Sequence, residues 1–252
     1  MKAAERQIRI RQMLTQRDFV ALESLRAELE ASESSIRRDL DILEKEGVVR
    51  RVYGGAVLVP ALNGDEFDFN RLKALQGDEK NRIAKLAASL VRDGETVVLD
   101  GGSTVAGIAR ELVGRQLHVI TNSLPIADEL QESRTVELTL TGGYLDPRLR
   151  VMLGPFCERM LSSVRADVLI MGIGSISAAG LSNNNTLVVG SEQKMIEIAN
   201  KVIIVTDHTK FGRGAMIPLA PLDVVDIVVS DRALADEYRE ILKAHGVELL
   251  QA

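Results

Sequence analysis

Ser32-Glu33-Ser34-Ser35-Ile36-Arg37-Arg38-Asp39-Leu40-Asp41-Ile42-Leu43-Glu44 is the stretch on which the reading of this chain turns. Ile36, Leu40 and Leu43 recur at i, i+4 and i+7, the spacing that puts apolar side chains on one face of a helix. Glu33, Ser34, Ser35, Arg37, Arg38 and Asp41 fall largely on the outer side. Ser32 makes a good N-cap, because its hydroxyl can accept from a first-turn N–H that has no partner inside the helix. Upstream, Leu22, Leu25 and Leu29 give a short amphipathic helix, and Ile8, Ile10 and Leu14 an earlier one. Downstream, Gly47 ends the helix. Val48–Val52 then reads as a short strand and Tyr53-Gly54-Gly55-Ala56 as a turn into another. Three short helices followed by a β-hairpin describe a winged helix-turn-helix over residues 1–58.

That geometry has a direct consequence for chemistry. The third helix fits a DNA major groove with its N-terminal half nearest the bases, and its first N–H groups face a phosphate. Ser32, Ser34, Ser35, Arg37 and Arg38 are the candidate contacts on the helix, where the arginines can bind guanine bidentately or hold phosphates. Arg50, Arg51 and Tyr53 are the candidates on the wing. A formal net charge of −5 argues against a nucleic-acid partner only until its distribution is read. Up to Val57 the chain has 11 Lys and Arg against 10 Asp and Glu, and beyond it 20 against 26. The N-terminal cations cluster as Arg6, Arg9 and Arg11, Arg37-Arg38, and Arg50-Arg51. Solvated helix faces would look the same, so charge alone decides nothing. Aromatic residues make up 3% of the chain, which argues against base stacking on aromatic platforms.

Val59–Gly64 opens a linker expected over 59–76, with Phe67 and Phe69 as anchors of a second domain over 77–252. A helix is expected from Asp78 to Val91. Apolar runs then follow at Thr96–Asp100, Leu117–Thr121, Glu137–Thr141, Val168–Gly172, Val202–Asp207 and Asp226–Ser230, as strands buried on both faces require. Helical stretches lie between them at Val105–Leu112, Leu124–Glu132, Glu192–Ala199 and Leu234–His245. The expected fold class is an α/β domain with a largely parallel sheet, preceded by the small winged helix-turn-helix.

Such sheets bind ligands beyond the carboxyl ends of their strands. Here those ends read Asp100-Gly101-Gly102-Ser103-Thr104, Thr121-Asn122-Ser123 and Gly142-Gly143, then Gly172-Ile173-Gly174 and Asp207-His208-Thr209-Lys210-Phe211. Glycine lets backbone amides approach an anion, hydroxyls donate, and a helix N-terminus adds partial positive charge. Lys210 can supply a fixed cation. Each element alone is weak, since a Gly at a strand end is more often a turn residue, but several in one sheet point to an anion pocket. No GxGxxG or Walker A sequence implies a nucleotide. Three histidines and the single Cys157 lack metal-ligand spacing, so no metal or cofactor is expected. Cys157, between Phe156 and Met160, reads as a packed thiol in a reducing cytoplasm. No apolar run reaches membrane-spanning length, and the charged first residues do not read as a signal peptide.

The run from Ser32 to Leu40, with Leu43-Glu44 and Arg51-Val52-Tyr53-Gly54-Gly55-Ala56, resembles the DNA-binding signature of the DeoR family of bacterial regulators. Ser35 stands for the family's usual Thr and Tyr53 for its usual His. The second domain resembles the family's effector domain in its order of motifs: Asp-Gly-Gly-Ser-Thr, Thr-Asn-Ser, Gly-Gly, the Gly-rich stretch near Gly172, Glu192 with Lys194, and Asp207 with Lys210-Phe211. The run from Gly174 to Gly180 and the polar Asn183-Asn184-Asn185 depart from that pattern. The resemblance implies a fold related to ribose-5-phosphate isomerase, glucosamine-6-phosphate deaminase and CoA transferases. It also implies a phosphorylated sugar or related metabolite as effector, double-stranded operator DNA as partner, and a homo-oligomer, dimer or tetramer. A sugar-phosphate isomerase or deaminase is the alternative, with Asp100, Glu192, Asp207, His208 and Lys210 as candidate acid–base groups. An enzyme, however, has no use for a winged helix-turn-helix. Repressor and activator need the same two domains, and the residues do not separate them.

Overall fold

The computed structural model describes residues 3–16, 20–45, 49–52, 54–58, 69, 77–212 and 214–252. Gly47, Val48, Tyr53, Phe67 and the expected linker apart from Phe69 lie outside them, as does the side chain of Arg50. The chain divides into two compact units, Met1–Glu66 and Phe67–Ala252.

The first unit runs α1 (Ala3–Gln16), β1 (Val20–Ala21), α2 (Leu22–Leu29), α3 (Glu33–Lys45), β2 (Val49–Val52) and β3 (Gly55–Leu58). Ile36, Leu40 and Leu43 are buried against Ile10, Leu14, Leu25, Leu29, Val49 and Ala56. Each such side chain contributes roughly 1.5–3 kcal/mol by burial, against a few tenths for an exposed i,i+4 ion pair. The apolar face therefore fixes the rotation of α3. Ile8 is a correction to the expected stripe: it is 55% exposed. It sits two residues, about 200° of helix, from Ile10, so only Ile10 and Leu14 face inward. Strand β1 was not expected. Its two residues pair with Ala56 and Gly55 and close a three-stranded antiparallel sheet in the order β1-β3-β2.

The second unit runs α4 (Gly77–Ala88), β4 (Thr96–Leu99), α5 (Ser103–Glu111), β5 (Leu117–Thr121), α6 (Leu124–Leu130), β6 (Val136–Leu140), β7 (Tyr144–Asp146), β8 (Val151–Leu153), α7 (Pro155–Ser162), β9 (Ala166–Met171), β10 (Ser175–Ser177), β11 (Gly180–Asn183), α8 (Thr186–Ile198), β12 (Ala199–Val205), β13 (Ile217–Ala220), β14 (Ile227–Ser230), α9 (Asp236–Ala244) and β15 (Glu248–Gln251), with 3-10 turns at His208–Lys210 and Leu222–Val224. Seven strands form one sheet in the order β15-β14-β12-β9-β4-β5-β6, every pair parallel. Side chains alternate between its faces as the two-residue period demands. Val97, Leu99, Val168, Ile170, Ile203 and Val205 join one apolar core with α4, α5 and α6. Val98, Leu169, Met171, Val202 and Ile204 join the other with α7, α8 and α9. Two helical layers thus sandwich the sheet, which explains its unbroken apolar runs.

Phe69 is buried in the first of these cores, its N–H on the Arg148 carbonyl at 3.0 Å. Four features escaped the sequence reading: the antiparallel β7–β8 hairpin, the antiparallel β10-β11-β13 sheet, helix α7 and strand β15. Helix α8 begins at Thr186, six residues before the expected Glu192 start, because the Asn185 side chain accepts from the N–H groups of Leu187 and Val188. The expected α4 shortens at its C-terminus from Val91 to Ala88.

Candidate DNA-contacting surface and strand-end site

Ser32 caps α3 as expected. Its hydroxyl accepts from Ser35 N–H at 3.3 Å and lies 3.1 and 2.9 Å from the Ser34 and Ser35 hydroxyls. Three hydroxyls are thereby gathered at the helix N-terminus. Arg37 donates to Glu33 Oε1 through Nε at 2.9 Å and Nη2 at 2.8 Å. Arg38 is exposed and forms no ion pair with a described residue. On the wing, the Arg51 N–H donates to Glu44 Oε1 at 2.8 Å, and its guanidinium pairs with Asp41. The backbone of Arg50 lies in β2, opposite Val57.

Asp39, the acid of the Arg-Arg-Asp-Leu run, does not face outward. It is 2% exposed and accepts from Arg6 Nε and from Gln7 Nε2 at 3.0 Å, tying α3 to α1. A buried carboxylate so held is structural, because loss of its partners leaves an unpaired charge.

The strand-end site begins where β4 ends. Asp100 is buried, and Gly101 and Gly102 lead into α5. Gly102 is the N-cap at φ 139°, a left-handed conformation that glycine tolerates. With no side chain capping it, α5 leaves first-turn N–H groups at the site. A Cβ on Gly101 would overlap the Val151 side chain. Ser103 Oγ accepts from Lys80 Nζ at 3.1 Å. Thr104 is half-buried in the same first turn.

Lys80, on α4, was not among the expected residues. Burial lowers its pKa to about 8, the negative charge of Asp207 opposes that shift, and the positive charge of Lys210 adds to it. Lys80, Ser103, Asp207 and Lys210 therefore converge, although they come from three separate parts of the chain. Asp207 caps the 3-10 turn by accepting from Thr209 N–H at 2.9 Å and from the Thr209 hydroxyl. Two lysines thus place positive charge beside a helix N-terminus, an arrangement that favours an anion. Next to it, His208 Nδ1 lies 3.0 Å from Asp231. Burial pushes the Asp231 carboxyl up, but the His208 and Ala233 N–H groups and the imidazole hold it below its ordinary value.

The other strand ends form the walls. Thr121 donates to the Leu99 carbonyl at 2.6 Å and accepts from Ser123 N–H at 3.1 Å, fastening β5 to β4. Asn122 and Ser123 are buried, and among the described residues their Oδ1 and Oγ atoms have no hydrogen-bond partner. The β7–β8 hairpin reaches the same place through a Ser123–Val151 bridge and a 2.7 Å bond from Met152 N–H to the Asn122 carbonyl. Gly142 and Gly143 serve this hairpin. At Gly143, with φ 125°, a Cβ would come 2.7 Å from the Leu153 carbonyl. Gly172 adjoins Gly101, so its backbone lies at the floor.

Glu192 is buried on α8. Its Oε1 accepts from Asn183 Nδ2 at 3.0 Å, while its Oε2 has no hydrogen-bond partner among the described residues. Burial and then the charge of Asp100 raise the Glu192 pKa well above its ordinary value, against the Asn183 hydrogen bond. Burial likewise raises Asp100 to about 7, against the Gly101 N–H. Lys194 is placed apart. It lies about 200° round the helix from Glu192, where its ammonium pairs with Glu197 at 2.6 Å. Cys157 is buried, with its thiol on the Thr141 hydroxyl at 3.4 Å. The unusual Asn183-Asn184-Asn185 run has local work: Asn183 orients Glu192, Asn184 accepts from Met216 N–H at 2.9 Å, and Asn185 caps α8.

A helix-turn-helix unit in one chain with a parallel-sheet unit whose strand ends carry lysines and a free helix N-terminus fits a ligand-responsive DNA-binding regulator. Residues 6–60 match the DeoR-like helix-turn-helix domain, residues 75–232 match the DeoR C terminal sensor domain, and the chain belongs to the DeoR family. The HTH-type transcriptional repressor GlcR of Bacillus subtilis is 34% identical over 250 residues, covering 99% of this chain and 96% of that protein. A putative aga operon transcriptional repressor of Escherichia coli O157:H7 is 33% identical, covering 98% and 93%. The HTH-type transcriptional regulator UlaR of Escherichia coli is 30% identical, covering 100% of both. Among solved structures, ribose 5-phosphate isomerase A of Methanocaldococcus jannaschii is similar with a TM-score of 0.38 at 20% identity, over 54% of this chain and 55% of that one. The full-length relatives are transcriptional regulators, and this chain is a regulator rather than an isomerase or deaminase. Among the described residues no helix is long and apolar enough to cross a membrane, and no cluster of His, Cys, Asp and Glu is placed to hold a metal ion.

Proposed function

We propose that the protein is a cytoplasmic repressor of a carbohydrate-metabolism operon, and that a phosphorylated sugar bound at the strand ends of the sensor unit relieves repression. The observation that carries the effector half is the Lys80–Ser103 contact at the N-terminus of α5, with Lys210 beside it. Paired cations at a helix N-terminus suit a dianionic phosphate better than a neutral sugar. The names of GlcR and of the aga operon repressor support repression as the sense of regulation. Ser32, Ser34, Ser35, Arg37, Arg38, Arg50, Arg51 and Tyr53 are the proposed DNA contacts. A homo-oligomer, dimer or tetramer, follows from the two half-sites that helix-turn-helix proteins read.

The test is a thermal-shift screen of hexose and pentose monophosphates beside the unphosphorylated sugars, followed by gel shift on the protein's own upstream DNA. A sugar phosphate should raise the melting temperature, lose that effect in Lys210→Ala, and release the DNA. Stabilisation by the unphosphorylated sugars alone would overturn the effector assignment.

A further inference from the structure

The β7–β8 hairpin is a sheet of its own, outside the seven-stranded one, with Tyr144 opposite Leu153, Leu145 opposite Met152 and Asp146 opposite Val151. Its turn is braced from within. Asp146 Oδ1 accepts from the N–H groups of Arg148 at 2.9 Å and Leu149 at 3.0 Å, and the Asp146 carbonyl accepts from Arg150 N–H at 2.8 Å. Tyr144 and Leu145 on β7 are exposed, so this strand is not locked into either apolar core. A braced ribbon held mainly along one strand moves as a unit.

Its neighbouring residues face two different parts of the sensor unit. Val151 packs against Gly101, in the turn that opens α5, and bridges to Ser123. Met152 N–H donates to the Asn122 carbonyl at 2.7 Å. One residue earlier, about 3.3 Å along the strand, the Arg150 guanidinium lies over the Phe69 ring at 5.9 Å from its centroid. The Arg148 carbonyl accepts from Phe69 N–H at 3.0 Å. Arg150 is itself held by Asp128 at 3.3 Å, and its carbonyl accepts from Leu124 N–H at 3.0 Å. It does this at φ 57°, a left-handed conformation that costs a residue with a Cβ. Phe69 is the first described residue of the sensor unit, and the chain from the DNA-binding unit runs through it to reach α4.

We propose that the β7–β8 hairpin is the relay of this regulator: effector bound at the strand ends displaces Val151, and the braced turn carries that displacement through Arg148 and Arg150 to Phe69, where the chain from the DNA-binding unit enters the sensor unit. This rests on the strand-end site being the effector site. The relay has two arrangements. In one, Val151 seats on Gly101 and the turn holds Phe69. In the other, the ligand takes the space beside Gly101 and Ser123, and Phe69 loses its hold. The effector shifts the balance by what it gains in the second arrangement over the first. Close packing between Gly101 and Val151 leaves no slack to absorb the displacement.

The test uses the full chain and the protein's own upstream DNA. Operator affinity is measured with and without saturating glucose 6-phosphate or fructose 1-phosphate, whichever the screen favours, and binding of that sugar phosphate is followed by calorimetry. In the parent protein the sugar phosphate should weaken operator binding by at least about fivefold and speed hydrogen exchange at the Phe69 amide. Phe69→Leu and Arg150→Ala should still bind it, while the operator response shrinks toward none. A full response in both variants overturns the relay. So does loss of sugar-phosphate binding in both, which would place the turn within the ligand site. A second arm needs no ligand. Gly101→Ala pushes on Val151 directly and should weaken operator binding in the parent background but not in Phe69→Leu. Should Gly101→Ala not fold, Val151→Ile crowds the same contact from the other side. An unchanged operator affinity, or an equal loss in both backgrounds, overturns the relay. If no sugar phosphate binds while this second arm behaves as expected, the effector-site reading falls and the relay stands.

Discussion

Lys80 Nζ donates to Ser103 Oγ at 3.1 Å, linking α4 to the first turn of α5 where a phosphate would bind. The ammonium is held there against its desolvation, with Asp207 offsetting only part of the cost. A lysine whose folded pKa is lowered from 10.5 to about 8 binds fewer protons than in the unfolded chain between those values. Its destabilisation is thus fully present below about pH 8 and fades as pH rises toward 10.5. Lys80→Met should stabilise the ligand-free protein at pH 7 by on the order of 1 kcal/mol after discounting for solvent screening. The same variant should lose sugar-phosphate stabilisation. Thermal melts at pH 7 and pH 10, with and without ligand, check both halves, and a destabilised Lys80→Met at pH 7 contradicts the first.

The Asp100 carboxyl works in the opposite sense. Its folded pKa is raised from 3.8 to about 7, so the folded state holds a proton that the unfolded chain releases. Stability from this group is complete below about pH 3.8 and is lost progressively as pH rises through 7. Asp100→Asn should therefore flatten the fall in melting temperature between pH 5 and 8 and melt higher than the parent at pH 8. Melting curves across that range decide it.

Asp39 and Arg38 are neighbours in sequence with separate roles. Asp39→Ala removes the buried carboxylate that holds Arg6 and Gln7 on α1 and should cost the N-terminal unit roughly 1.5–3 kcal/mol. Calorimetry should show that unit melting earlier while the sensor unit keeps its own transition. Arg38→Ala removes an exposed side chain and should leave both transitions in place. It should weaken operator binding by roughly 1–3 kcal/mol if the guanidinium reads a base. Equal operator affinity in Arg38→Ala would remove it from the contact set.

Gly101→Ala places a methyl group against Val151, whose strand closes the site through Ser123. The hairpin must shift to admit it. A stability loss of about 1–3 kcal/mol is expected for such overpacking, together with loss of effector binding. Val151→Ala should restore part of both, which a double-mutant cycle would measure.

Much of this architecture was legible in the sequence for one reason: period. Ile36, Leu40 and Leu43 obey the helical spacing, and runs such as Val97–Leu99 and Ile203–Val205 are apolar on both faces because helices cover both faces of the sheet. The same logic explains the misses. Strands β10 and β11 are short and bury Ser175, Ser182 and Asn183, so no apolar run marks them. Helix α8 starts from an Asn cap rather than an apolar stripe. Within the site, strand-end glycines and hydroxyls were visible because they follow each strand. Lys80 was not, since it lies on a different helix and only folding sets it beside Ser103. Asp39 was hidden by its company, being an acid between an exposed arginine and a buried leucine whose inward rotation no spacing rule announced.

Arg51 has a final consequence. Its amide is held by Glu44 and its guanidinium by Asp41, both on α3, while β2 and β3 pair around it. Helix and wing thus form one preassembled reading head, and little ordering entropy remains to be lost when it meets the duplex. Salt weakens the exposed Arg51–Asp41 tie, but the strand pairing and the shared apolar core persist. A metabolite signal therefore has little to remodel inside the head. In the homo-oligomer proposed above, it would act by changing how often whole heads are presented together to adjacent half-sites, a shift in population rather than in shape.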